Sequence, residues 1–373
     1  MRCIKEWLAD ISPSDKVFYN PKMSKLRDLS VLFLKARVNK EARLLDCTAA
    51  SGIRGIRYAL EAGIKDVTLL DINKDAARSA KLNVKRNGLK QKVINDSIQH
   101  FANSLEDAFD VIDLDPFGTP VPYVHDLLKL CKDNTLMMIT ATDTATLCGA
   151  ESKACVKLYG SKPIHNELCH EGGVRILLNY ISREAAQFNF SMEPALCIAD
   201  LHYMRVFVFL RRGAERAYAA IKTNGFVTYC PHCCNFAVAK GIVPKIDTKC
   251  GNCGRAMDAY GPMWLGSLQD KETVARMLDA GSKGGYSGEA LKLLGRINDE
   301  VDTPFFYSVS KIASHLKTSS APLEEIVQML KKTHAAGRTH FEPDAIKTDA
   351  TVKEVIADVK KINKARDRRP SRP

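Results

Sequence analysis

The chain reads as an α/β fold, a mainly parallel sheet with an antiparallel edge hairpin, followed by a smaller α+β part, and three observations predict it. From Ala42 to Arg212 short apolar runs alternate with amphipathic stretches, the pattern of repeated strand–helix–strand units. Two strand-like runs at the end of that region, 193–199 and 202–212, follow each other closely enough to pair as an antiparallel edge. At 226 the pattern breaks into short polar turns around cysteine pairs.

The elements follow in order. The strands expected are 42–47, 67–72, 92–97, 109–115 and 135–143. Between them the helical period picks out Ile53–Glu61 and Asp75–Arg86, the second closed by Asn87-Gly88. A long amphipathic segment, Gly173–Phe188, precedes the edge pair, and 213–225 reads as a connection. From Ser267 the chain is helical again. The segment 308–337 predicts two short helices joined at SSAP with Pro322 in a first turn, and RTHFEPDAIKT predicts a strand after them. The last fourteen residues hold seven Lys or Arg against one Asp and read as a solvated tail.

Composition narrows the class. The 373 residues suit two or three domains, and 45% hydrophobic with 26% charged residues excludes a disordered, collagen-like or coiled-coil chain. No apolar run approaches the ~18 residues of a membrane span, and the polar start MRCIKEWLAD lacks the apolar region of an export signal. A soluble, cytoplasmic protein is expected, its twelve cysteines reduced or on metal. The net charge of +12 points toward a polyanionic partner.

Four stretches carry chemistry. LLDCTAASGIRGIR (44–57) is a strand ending in Asp46, a small-residue loop with Gly52 and a helix. Nineteen residues past Gly52, Asp71 ends the next strand, where a carboxylate accepts both hydroxyl protons of a ribose. Only Gly52 and Gly55 stand in the loop, so the dinucleotide pattern is incomplete, and S-adenosylmethionine, which has no pyrophosphate to cradle, fits better. Asp96-Ser97 falls at the same rim and suits the amine and ring nitrogen of adenine. DLDPFGTP (113–120), ending the fourth strand, joins an acid, Pro, an aromatic and Gly as in methyltransferases that act on exocyclic amines of bases. Such an amine is a poor nucleophile because its lone pair is delocalised into the ring. A carboxylate, Asp115, that accepts its N–H bond and then its proton meets that need, and Phe117 offers a stacking face for a base taken out of its own stack. Asp113 shares the strand face with Asp115 and competes for the role. Upstream, VFYNPKMSKLRDLS (17–30) supplies Phe18 for the opposite face of the base and Arg27 for a carboxylate of the cofactor. Finally, Cys230-Pro-His-Cys233 and Cys250-Gly-Asn-Cys253, sixteen residues apart, place four thiolates for a closed, structural Zn2+ site, with Cys233 preferred to the adjacent Cys234.

Together the arm with FYNP and Arg27, the loop DCTAASGIRGIR, the motif DLDPFGTP, and CPHC…CGNC followed by GPMWLG resemble the archaeal-type tRNA (guanine-26-N2)-dimethyltransferase family over about residues 14–350. The resemblance implies a class I S-adenosylmethionine-dependent methyltransferase fold, Rossmann-like, with a C-terminal tRNA-binding part. It implies S-adenosylmethionine as donor and N2,N2-dimethylguanosine at tRNA position 26 as product; tRNA is the expected partner, with no obligate protein partner. By the same resemblance Arg27, Asp46, Arg54, Asp71, Asp96 and Ser97 contact the cofactor, Asp115 is catalytic, and Phe18 and Phe117 sandwich the guanine; Arg57, on the face of Arg54, is the alternative there. The expected organisation is an arm (1–40), a methyltransferase domain (41–212), a C-terminal domain (213–352) with a zinc module (226–266) and a winged-helix-like segment (305–350), and a basic tail (353–373).

Overall fold

Side-chain alternation decides the architecture, because each strand must bury apolar side chains on both faces. The computed structural model describes residues 3–13, 16–105, 108–200 and 202–367. The arm is a hairpin, β1 (Ile4–Glu6) and β2 (Ala9–Ile11), and a helix, α1 (Ser24–Arg37). Then come β3 (Arg43–Asp46), α2 (Ile53–Leu60), β4 (Asp66–Asp71), α3 (Lys74–Arg86), β5 (Lys92–Asn95), α4 (Ile98–Ser104), β6 (Phe109–Leu114), α5 (Val121–Leu128) and β7 (Cys131–Ala141). Two short helices, α6 (Thr144–Leu147) and α7 (Ser152–Tyr159), lead to α8 (Cys169–Gln187) and the edge pair β8 (Phe190–Asp200) and β9 (Tyr203–Arg212).

These strands form one sheet in the order β5-β4-β3-β6-β7-β9-β8, parallel from β5 to β7 and antiparallel at β9 and β8. The strand sequence reverses between β3 and β6. In such sheets the crevice at the carboxyl ends beside that reversal is where ligands bind. Leu45, Leu70, Ile112, Met137 and Ile139 face one core, shared with α4, α5 and α8; Leu44, Leu69, Val111, Leu136 and Met138 face the other, shared with the arm, α2 and α3.

The remainder does not stand apart from this layer. Residues 213–225, expected as a connection, contain α9 (Ala214–Thr223): AERAYAAIK is rich in strong helix formers, and Ala217 seats it. The cysteine-rich segment forms the small sheet β11-β10-β12 from β10 (Asn224–Tyr229), β11 (Phe236–Lys240) and β12 (Asp258–Trp264). Two helices follow, α10 (Lys271–Ser282) and α11 (Gly288–Asp299), and they join the core of the arm: Ser287 donates its backbone N–H to Asp28 of α1 at 3.0 Å. The chain then runs through β13 (Tyr307–Ser308), α12 (Val309–Leu316), α13 (Leu323–Leu330), β14 (Ala336–Arg338) and β15 (Ala345–Thr348), so the single strand expected over RTHFEPDAIKT is two strands paired across a loop.

The expected basic tail differs most. Residues through Asp367 form a last helix, α14 (Val352–Asp367), with Val355, Val359 and Ile362 buried along one face; 368–373 lie outside the described residues. That apolar stripe, spaced four and three apart, outweighs the surrounding lysines. Among the described residues no helix is long and apolar enough to cross a membrane.

Candidate active site

Parallel pairing sets Asp46, the last residue of β3, directly beside Asp113 on β6, and both are fully buried. Asp113 is completely engaged: Arg205 of β9 donates to Oδ1 at 2.8 Å and the Tyr58 hydroxyl donates to Oδ2. Asp46 accepts the Gly55 amide at 3.1 Å through Oδ2, whereas its buried Oδ1 has no hydrogen-bond partner. Burial and then the adjacent Asp113 push the Asp46 carboxyl up to about 7. Between β3 and α2 the chain turns through Gly52 at φ 81°, where a Cβ would meet the Ala80 and Leu69 side chains at 3.2 Å.

Asp115 follows the end of β6. Its backbone N–H bonds to Thr48 Oγ1 at 3.2 Å, and its side chain stays 20% exposed, unlike that of Asp113. Arg54, in the first turn of α2, donates Nη2 to Oδ2 of Asp115, with Nη1 3.9 Å from Asp113. Burial alone would raise the Asp115 carboxyl; the Arg54 and Arg205 guanidiniums and hydrogen bonds from Thr140 and Arg54 outweigh it and hold the group below the usual carboxylate range. The period-two pattern left Asp113 and Asp115 equivalent, and burial separates them. Of the two, Asp113 is locked inside and Asp115 faces the crevice.

The turn after Asp115 is fixed by Gly118, which donates its amide to Thr142 Oγ1 at 2.7 Å and accepts the Thr142 amide at 2.9 Å. Phe117 therefore projects, 76% exposed, and meets Phe18 of the arm, 52% exposed, edge to face with ring centroids 4.8 Å apart. Two exposed aromatics from segments about a hundred residues apart thus meet across the crevice.

Asp71 ends β4 with both oxygens engaged, Oδ2 by the Ala50 amide and Oδ1 by the Asn73 amide, each at 2.8 Å. These bonds tie the loop of 47–52 to the tip of β4, and a carboxylate keeps lone pairs for further donors. Next to it the Asp96 amide bonds to the Asp71 carbonyl at 3.2 Å. Asp96 lies just past β5, its carboxylate paired with His100 Nδ1 at 2.6 Å, which holds it below its ordinary range; Ser97 is the N-cap of α4. The expected strand 92–97 thus ends at Asn95, and Asp96 and Ser97 belong to the rim.

Arg27 is buried and turned to Glu6 of β1, donating through Nε at 2.7 Å and through Nη2, which also reaches the Asn20 carbonyl at 3.1 Å. Glu6 also accepts from Tyr19 at 2.8 Å and from Arg57 at 2.7 Å, and Arg57 continues to Asp28 and Glu61. This buried network fastens the arm to α2. It also distinguishes two arginines one turn apart: Arg57 serves the arm and Arg54 reaches the carboxylates of the crevice. Sequence reasoning missed Glu6, Tyr58 and Arg205. A signal existed for Arg205, a lone charge within the apolar run of β9, which demands a buried partner.

Away from the crevice, Cys230, Cys233, Cys250 and Cys253 bring their four sulfurs within 4.8 Å of one another, with Cys230–Cys253 and Cys233–Cys250 contacts of 3.5 Å. Four converging thiols suit a closed tetrahedral zinc site. Cys234, at φ 59°, is turned instead into the main core, and His232 packs edge to face on His315.

The chain matches the family model described as N2,N2-dimethylguanosine tRNA methyltransferase over residues 3–360. Among curated relatives, the tRNA (guanine(26)-N(2))-dimethyltransferase of Methanothermobacter thermautotrophicus is 36% identical over 356 residues, 92% of this chain and 93% of its own. The enzyme of the same name from Pyrococcus furiosus is 37% identical over 367 residues, 93% of each. The solved structure of Trm1 from Pyrococcus horikoshii with S-adenosyl-L-methionine superimposes with a TM-score of 0.90 at 33% identity, covering 96% of this chain and all of that one. Since motif, fold and near-complete alignment agree from the arm to α14, the chain belongs to the N2,N2-dimethylguanosine tRNA methyltransferase family.

Proposed function

We propose that this chain transfers methyl groups from S-adenosylmethionine to the exocyclic N2 of guanine 26 in tRNA, in the cytoplasm, giving N2,N2-dimethylguanosine. The observation that carries the reading is the crevice where the carboxylate of Asp115, kept ionised by Arg54, lies next to the exposed Phe117–Phe18 pair at the reversal of the sheet.

The residues fit a nucleoside-bearing sulfonium donor: Asp71 at the tip of β4 and Asp96 beside it form an acidic rim, and the buried Oδ1 of Asp46 still lacks a partner. Asp71 would hold the ribose hydroxyls, Asp96 and Ser97 the adenine, and Arg27, Arg54 and Asp46 the methionine end. When bound, the donor supplies a methyl group on positive sulfur.

The chain's own residues do the rest. Phe18 and Phe117 part by about one ring thickness and take the extruded guanine between their faces. Asp115 accepts an N–H bond from N2, aligning the amine, and then its proton. The guanine N2 that has just gained a methyl group is a cation cut off from conjugation with the ring, a far stronger acid than a carboxylic acid, so even a carboxylate held below its ordinary range accepts that proton downhill. The four-cysteine cluster stands apart from this chemistry and, through zinc, would brace the C-terminal part, whose lysines and arginines would meet tRNA phosphates.

Mass spectrometry of nucleosides tests the reading. Unmodified tRNA incubated with the protein and S-adenosylmethionine should yield N2,N2-dimethylguanosine, and a tRNA with adenine in place of guanine 26 should yield none. Methylation elsewhere would assign another RNA site; methylation nowhere would leave a binding protein.

A further inference from the structure

A second cluster of soft ligands lies between the end of α6 and the start of α8. Cys148, directly after α6, Cys169, the first residue of α8, and His170 bring one ligand atom each to within 4.8 Å of one another. None of the three takes part in the crevice described above, and all are partly exposed. We propose that Cys148, Cys169 and His170 form a second zinc site, with three protein ligands and a fourth position open to solvent.

The backbone is built for this approach. Gly149, at φ 89°, lies so close to the segment entering α8 that a Cβ would meet the Ile164 carbonyl at 2.8 Å and the His165 Cβ at 2.9 Å. A side chain at 149 would hold the Cys148 turn away from α8. His165 adds a buttress, donating Nδ1–H to the Cys148 carbonyl at 3.1 Å. A tetrahedral zinc with Zn–S bonds of ~2.3 Å sets two sulfurs about 3.8 Å apart, so the side chains need to close by no more than about 1 Å. Two thiols and an imidazole are a borderline-soft donor set that prefers zinc to calcium or magnesium. The third ligand also separates this cluster from a pair poised for a disulfide, which gives an imidazole nothing to do. Three protein ligands with one open position distinguish it from the closed four-cysteine cluster.

The site would staple the segment 142–168 to the start of α8. Its other end is pinned to the turn after Asp115, through Thr142 with Gly118 and through Tyr159, whose hydroxyl bonds to Thr119 at 2.8 Å and to Asp143. Zinc here would therefore brace the support of Phe117 from behind while touching neither substrate nor donor.

The full-length protein, loaded with zinc chloride and desalted under reducing conditions, tests it by elemental analysis. Wild type should carry two zinc ions per chain, Cys148→Ser with Cys169→Ser one, and Cys253→Ser no more than one. In wild type itself, zinc should protect Cys148 and Cys169 from alkylation as mapped by peptide mass spectrometry, a measurement independent of how the variants fold. One zinc per chain in wild type, two in the double variant, or unprotected Cys148 and Cys169 would each overturn the site. So would a non-reduced mass lower by two hydrogens that the double variant restores, which would identify a disulfide instead.

Discussion

Arg54 and Asp115 meet side chain to side chain across the reversal of the sheet, the guanidinium Nη2 donating to the carboxylate Oδ2. One residue comes from the helix after β3 and the other from the end of β6, so the ion pair closes the crevice floor. Burial would raise the carboxyl, and Arg54 is the foremost influence that lowers it.

A pH profile follows from that pair. The role proposed for Asp115 requires its ionised form, which is present above its pKa and lost as pH falls through it. With the group held low, kcat/KM of the wild type should show no acid limb from neutral pH down to about pH 5. Arg54→Gln removes the foremost lowering charge and should move an acid limb up toward neutral pH. An unchanged profile would show that Arg54 does not set the state of Asp115.

Asp113 should behave as a structural residue. Asp113→Asn leaves Arg205, itself fully buried, without its charge partner, and breaking such a pair typically costs about 3–5 kcal/mol. Chemical denaturation should show that loss, while methyl transfer per folded molecule changes much less. Normal stability with abolished turnover would instead make Asp113 the acceptor.

Asp46 gives a stability test with a definite sign. Its carboxyl is raised from the ordinary 3.8 to about 7 in the fold, so the folded state binds more protons than the unfolded state between those values. Its contribution to stability is greatest below about pH 4 and declines as pH rises through about 7. Asp46→Asn should therefore gain in melting temperature relative to wild type as pH goes from about 5 to about 8. A constant difference across that range would mean that Asp46 does not titrate there.

Much of this could be read in the sequence because period-two apolar runs and acids at strand ends are local signals; β3, β4 and β6 end within one residue of where the runs predicted, and Asp71 and Asp115 stand at the rim. The misses are long-range or masked. The pairing of Arg27 with Glu6 depends on a three-residue strand folding back on α1, which no spacing encodes. In α14 the Lys and Arg run hid the stripe of Val355, Val359 and Ile362, and in α9 a short Ala-rich helix between two strands looked like a linker.

The role proposed for Phe117 is capture of the base rather than chemistry. Because it is exposed and Gly118 fixes its turn, Phe117→Ala should leave the fold and S-adenosylmethionine binding intact and cost about 1–3 kcal/mol in productive tRNA binding, the worth of one stacking platform. Fluorescence binding and KM for tRNA read this directly, and unchanged values would remove Phe117 from the base site.

Single-turnover methylation by Asp115→Asn tests the central claim most directly. Asn is nearly isosteric, so the turn, S-adenosylmethionine affinity by calorimetry and tRNA affinity should survive, while the rate of methyl transfer to guanine 26 falls by roughly 10²–10⁴, the range for loss of a general base. A variant that binds both substrates and methylates at the wild-type rate would contradict the account.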